Sequence, residues 1–169
     1  MIYKLLNFFF ILTLPLYSFA EELSLKFKPV INLSVAKAMA DACEIDQERN
    51  GYNPVNIAIV DSGGDLVLFR RQNNAFLLSI DIAQKKAKSS AGIPYSTRKI
   101  EEIVYGKKEG KPGRAPGLAH SKDIVAFAGG LPIKTKDGHI IGAIGISGAT
   151  ADQDEACAAA AIKAIEDIL

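Results

Sequence analysis

The chain has 169 residues, 20 Lys and Arg against 19 Asp and Glu, two cysteines, two histidines and no tryptophan. A net charge of +1 provides no basic field for nucleic acid. With apolar residues at 49% it is a core-forming chain, not a disordered one.

The first 20 residues read as a signal peptide. Lys4 precedes an apolar run from Leu5 to Phe19, and Ser18-Phe19-Ala20 has the small-x-small pattern of a cleavage site. The alternative, a membrane anchor, asks for a longer span. Removal takes one lysine and no acid, leaving residues 21–169 as a single domain with 19 basic and 19 acidic side chains. The expected location is periplasmic or secreted, with no stable membrane insertion after cleavage. An exported chain permits a disulfide between Cys43 and Cys157. Both lie in alanine-rich helical sequence where Cys behaves as a small hydrophobe, which favours two buried free thiols and leaves the bridge open.

Residues 21–33 are an extended lead-in containing Pro29. Ser34 is the predicted cap of a first helix, with Val35, Ala38, Met39 and Ala42 on its apolar stripe, Cys43 on the flank and Asn50-Gly51 as the stop. A hairpin follows. Val55 to Asp61 and Leu66 to Arg71 are rich in β-branched and aromatic residues, and Ser62-Gly63-Gly64-Asp65 links them. The apolar residues are nearly continuous, so helices are expected on both faces.

A second helix over about 76–91 places Phe76, Ile80, Ala83, Ala87 and Ala91 on one face. Ser79, Lys86 and Ser90 line one edge of it, and Asp81 pairs with Lys85 on the other. A lysine between two hydroxyls beside a core stripe suits a ligand contact, although a lysine snorkelling past the core fits as well. Gly92 and Pro94 end the helix, and a short helix capped by Ser96 runs to Tyr105. The stretch from Gly106 to Gly117 holds four glycines and two prolines. It reads either as a mobile basic flap over a site or as a solvated loop.

The last third is predicted to carry three strands, Ile124 to Ala128, Leu131 to Lys134, and His139 to Ser147. Asp137-Gly138 marks a hairpin turn, and Pro132 belongs at an edge or strand start. Thr150 and Gln153 form a capping box for a final helix to Leu169, with Cys157, Ala161, Ala164 and Ile168 buried.

Several chemistries are disfavoured. The glycines of Gly142-Ala143-Ile144-Gly145-Ile146-Ser147-Gly148 lie within a strand, and Asp152, Asp154 and Glu155 follow at a helix start where they would repel phosphate. No metal-ligand spacing occurs. His120 and His139 are each ordinary surface residues or axial haem ligands.

Ile57-Ala58-Ile59-Val60-Asp61-Ser62-Gly63-Gly64 with Leu66 to Arg71 resembles the hairpin of GlcG/HbpS-like proteins, the haem-degrading domain family. Ser79 to Ala87 is similar to that family's Ser-x-x-Ile-Ala-x-x-Lys-Ala helix. Gly129-Gly130-Leu131-Pro132-Ile133 and Ile141 to Gly148, followed by Asp154 and Cys157-Ala158, are similar to its closing motif. The resemblance covers nearly all of the mature chain. It departs at Gly92-Ile93-Pro94-Tyr95-Ser96, which replaces a Phe-x-x-Pro-Thr pattern. It implies an α/β (α+β), profilin-like fold, a five-stranded antiparallel sheet with helices on both faces, and homo-oligomers.

Functionally it implies an exported small-molecule-binding protein, most concretely one that binds haem or a related tetrapyrrole in haem handling or redox sensing. On this reading Ser79, Lys86, Ser90, Gly129, Gly130 and Ser147 line the ligand site with Arg70. Lys86 or Arg70 pairs a ligand carboxylate, and His120 is the candidate iron ligand. The alternative is an enzyme acting on a small carboxylic acid or degrading haem, for which no base or nucleophile partner to Lys86 is visible.

Overall fold

The computed structural model describes residues 27–107 and 110–169. The expected signal peptide, residues 1–20, lies outside them. Among the described residues no helix is long and apolar enough to cross a membrane.

Helix α1 (Leu33–Asn50) leads to strands β1 (Asn56–Asp61) and β2 (Leu66–Arg71), then to α2 (Ser79–Gly92) and α3 (Thr97–Tyr105). A 3₁₀ turn (Pro116–His120) precedes β3 (Gly130–Lys134), β4 (Ile140–Ser147) and α4 (Ala151–Lys163). The sheet is antiparallel throughout, in the order β2-β1-β4-β3.

Local chemistry explains most element ends. The Asp61 carboxylate accepts the N–H groups of Gly63 and Asp65, and Gly64 turns at φ +85°, which closes the β1–β2 link. Thr150 and Gln153 form the expected capping box of α4. Asn32 rather than Ser34 caps α1, its Oδ1 accepting the Val35 N–H at 3.0 Å, while Ser34 donates to that same oxygen. The buried stripe of α1 is Ala36, Met39, Ala40, Cys43 and Gln47, so Ala38 is exposed and Cys43 central. Alanines at many phases made the stripe ambiguous. The second helix starts at Ser79 and leaves Phe76 outside, 62% exposed. The last one stops at Lys163.

The sheet has four strands, not five. Ile124 to Ala128 pairs with no strand. Its Val125 N–H goes to the Ser89 hydroxyl at 2.9 Å, and Gly129 at φ +120° turns the chain into β3. A short apolar run buries Val125 and Ala128 equally well against a helix, which is why periodicity cannot separate the two outcomes.

The two faces differ in side-chain size. Ile57, Ile59, Ile144 and Ile146 pack on α1 and α4 with Met39, Cys43, Cys157 and Ala161. On the other face Ala58, Val60 and Ala143 pack on Ala83 and Ala87 of α2. Gly145 faces α2 as well, and a Cβ there would fall on the Ala83 carbonyl oxygen and the Ala87 nitrogen. Gly145→Ala is therefore expected to cost about 3 kcal/mol or more, the upper part of the overpacking range. Gly92→Ala, with open space around it, should be neutral or slightly stabilising. Urea midpoints compare the two, and equal midpoints would refute the close-approach account of Gly145.

Cys43 and Cys157 are disulfide-bonded, with Cα atoms 4.8 Å apart, so the expectation of two free thiols is corrected. The bridge joins α1 to α4 over the large-residue face. Both cysteines are inert to packing arguments alone, because a buried thiol and a buried half-cystine occupy similar apolar space.

Candidate functional site

Helix α2 lies against the small-residue face, and Lys86 sits at its centre. The helix is so close that a Cβ on Gly130 would stand 2.6 Å from the Lys86 carbonyl oxygen. The Lys86 side chain, fully buried, reaches the first turn of α4. Its Nζ donates to Asp154 Oδ2 at 2.8 Å and to the Ile146 carbonyl oxygen at 2.9 Å. The Phe127 ring covers the amine, its centroid 4.7 Å away, a cation–π distance. Asp154 Oδ1 accepts the Ala149 N–H at 3.0 Å. Gly129 makes room for all of this, since a Cβ there would lie 2.5 Å from the amine and 2.8 Å from the Asp154 Cβ.

Burial pushes the Lys86 amine below its ordinary pKa, against the attraction of Asp154. Burial likewise pushes the Asp154 carboxyl up, against Lys86 and the N–H groups of Ala149 and Gly148. Desolvation disfavours the charged form of each partner, and their contact offsets that cost.

Of the residues expected to line a site, Ser79, Lys86, Ser90, Gly129, Gly130 and Ser147 belong to the α2 side of the sheet. Ser79 donates to the Phe76 carbonyl oxygen at 2.6 Å and accepts from Asn56 Nδ2 at 2.7 Å. Ser147 pairs with Asn56 in the β1–β4 register. Gly130 donates its N–H to Thr97 Oγ1 at 2.8 Å. Ser90 is fully buried, and its hydroxyl has no hydrogen-bond partner. The amine expected to pair a ligand carboxylate is held by Asp154 instead.

Arg70 lies apart from them. It stands opposite Ile57 in the β1–β2 register, which turns it toward α1, where it binds Asp41 at 2.6 Å and Glu44 at 2.7 Å. Arg70 and Lys86 are thus on opposite faces and cannot hold the same small ligand. His120 is exposed on the 3₁₀ turn, and His139 is exposed in the β3–β4 hairpin. Among the described residues no group of three His, Cys, Asp or Glu is placed to hold a metal ion.

Asp154 is the partner that sequence reasoning missed. A signal for it existed: Asp154 falls three, four and seven residues before Cys157, Ala158 and Ala161, on the same buried stripe of α4. An acid on such a stripe calls for a buried cation.

A separate cleft of about 440 Å³ runs between β3 and α4, within the roughly 300–1,000 Å³ of small-molecule sites. Leu131, Ile162 and Leu169 form its apolar floor, and Lys134, Lys136 and Lys163 stand at its rim with Glu166. Thr135 also lines it and exchanges hydrogen bonds with the backbone of His139, Thr135 N–H to His139 O at 2.9 Å and His139 N–H to Thr135 Oγ1 at 3.1 Å.

Comparison with known proteins agrees with the architecture. An uncharacterized 15.0 kDa protein from the dhaT–dhaS intergenic region of Citrobacter freundii is 34% identical over 141 residues, covering 82% of this chain and 94% of the relative. The crystal structure of a PduOC:haem complex superposes with a TM-score of 0.70 at 27% identity, covering 81% of this chain and 96% of that one. A double mutant of Streptomyces reticuli HbpS gives 0.72 at 27% identity, covering 82% and 89%. The family model for the haem-degrading protein HbpS-like group matches residues 31–163. The hairpin, the Lys86 helix and the glycine-bearing closing strand all lie within that match, and the chain belongs to the HbpS-like family.

Proposed function

We propose that the protein is an exported binding protein for haem or a related tetrapyrrole. The observation that carries this reading is the β3–α4 cleft, an apolar floor under three lysines, in a chain whose family and whose similarity to a PduOC:haem complex both point to haem. Leu131, Ile162 and Leu169 would carry the ring, and Lys134, Lys136 and Lys163 would take its carboxylates. Bound haem would supply a redox-active iron, and an imidazole is the ligand type that suits it. His120 and His139 are both exposed and neither lines the cleft, so each is tested as the iron ligand in turn.

Binding is preferred to catalysis because Lys86, the internal amine, is engaged by Asp154. Export is supported by the leader-like sequence before residue 21 and by the Cys43–Cys157 disulfide, which persists in oxidising compartments. Association with further copies belongs to the same reading. Phe76, Leu77 and Leu78, 62–77% exposed just after edge strand β2, are an apolar patch suited to a second copy.

Titration of the purified protein with hemin is expected to give a saturable absorbance band near the Soret region. Lys134→Glu combined with Lys163→Glu should weaken binding by about tenfold or more through lost carboxylate pairing. One of His120→Ala and His139→Ala should move the band. Absence of a saturable band would end the haem reading, and a band unaffected by the lysine pair would remove it from this cleft.

A further inference from the structure

The loop after α3 is held against that helix along both of its arms. Gly106 turns at φ +91° and donates its N–H to the Glu102 carbonyl oxygen at 3.0 Å. Lys107 and Lys111 form an antiparallel bridge, Lys107 N–H to Lys111 O at 3.0 Å. Ala115 donates to the Ile103 carbonyl oxygen at 3.0 Å. Gly113 packs so tightly that a Cβ would fall on the Val104 carbonyl. Its described arms are therefore anchored to α3 rather than hung over a distant site.

This fold-back builds a cleft of about 210 Å³. Lys99, Lys107, Lys111 and Arg114 line it, and Glu102 is the only acid among its described lining residues. Glu102 is already paired with Lys99 at 2.7 Å. Among the described lining residues four cations therefore converge on one acid, and Glu102, whose carboxyl is held below its usual range by Lys99 and also feels Lys107, offsets only one of the four charges. Two of them face each other across the Lys107–Lys111 bridge, where like charges repel. The carbonyl end of α3 attracts cations, but it does not by itself select a concave arrangement of four. Ile103 and Pro112 supply an apolar wall.

We propose that this cleft is a second ligand site, independent of the haem reading, and that it takes a small organic dicarboxylate. The volume lies below the roughly 300–1,000 Å³ of larger small-molecule sites, so the ligand has few heavy atoms and a tetrapyrrole does not fit. Two carboxylates would answer Lys107, Lys111 and Arg114, with Arg114 able to bind in the two-pronged manner of a guanidinium. The apolar wall favours a hydrocarbon spacer over a bare inorganic anion.

The test is calorimetric titration of the full-length mature protein with succinate, beside inorganic phosphate and sodium chloride at matched ionic strength. Wild type should bind succinate saturably. Lys107→Gln combined with Lys111→Gln should weaken it by about tenfold or more, while Lys37→Gln on exposed α1 surface should leave it unchanged. All three side chains are exposed, so these variants retain the fold. Succinate heats no different from those of sodium chloride, or equal affinity in the double variant, would overturn the site. Phosphate binding as tightly as succinate would overturn the organic-acid assignment.

Discussion

Asp154→Ala is expected to lower the unfolding free energy by about 3–5 kcal/mol, the cost of leaving a buried charge without its partner. At about 3 °C per kcal/mol for a domain of this size, Tm should fall by ~10 °C or more. The ammonium of Lys86 would retain only the Ile146 carbonyl oxygen and the Phe127 ring. Lys86→Met should cost less, because Asp154 keeps the Ala149 N–H and can take up a proton. In that variant the carboxyl loses the cation that opposed its raised pKa, so the folded state holds a proton above 3.8, the ordinary value. A group that binds its proton more tightly when folded contributes less stability as pH rises through that window. The stability of Lys86→Met should accordingly fall, relative to wild type, as pH is raised from about 4 toward neutrality. Adding Asp154→Leu to Lys86→Met should recover most of the loss. Thermal melts of Lys86→Met, Asp154→Leu and the double, taken at two pH values, measure this. Additive effects of under about 1 kcal/mol each would mean the pair is not coupled.

Removal of the Cys43–Cys157 bridge is expected to have an effect of similar size. The cysteines are 114 residues apart, and closing a loop of that order constrains the unfolded chain by about 4–5 kcal/mol in the chain-entropy account. Both half-cystines are completely buried, so reductant should act slowly on the folded protein and rapidly once denaturant opens it. The Cys43→Ala, Cys157→Ala double variant should unfold at a markedly lower urea concentration than the oxidised protein and match the reduced wild type. Mass analysis after alkylation under denaturing, non-reducing conditions supplies the check. Two alkylated thiols, or identical unfolding with and without reductant, would refute the bridge as a stabilising element.

Much of the scaffold was legible because it rests on short-range chemistry. The Asp61–Asp65 turn, the Ser96 cap of α3, the Thr150–Gln153 capping box and the Gly51 stop each depend on residues within a few positions of one another. The near-continuous apolar character of β1 announced helices on both faces, and both are there. The glycines of β4 announced a close approach, but what approaches Gly145 is helix α2 of the same chain.

The candidate sites were less legible. Ser79, Lys86 and Ser90 do share an edge of α2 as their spacing required, yet Lys86 turned out to belong to Asp154, 68 residues away. Arg70 was grouped with them as a second cation for a ligand carboxylate, and strand register put it on the opposite face. The Leu131 cleft joins an edge strand to the end of α4, two segments whose sequences carry no mark of each other.

By itself the sequence determined the order of the helices and of four strands, several caps and turns, and the family to which they belong, because burial and capping leave a periodic or local trace. The tertiary structure decided what each hidden group is hidden against: Asp154 for Lys86, Cys157 for Cys43, α1 for Arg70, and Ser89 in place of a fifth strand for Val125. A period along the chain reports that a side chain leaves water, whereas its partner is fixed by how elements distant in sequence stack, and no local pattern encodes that choice.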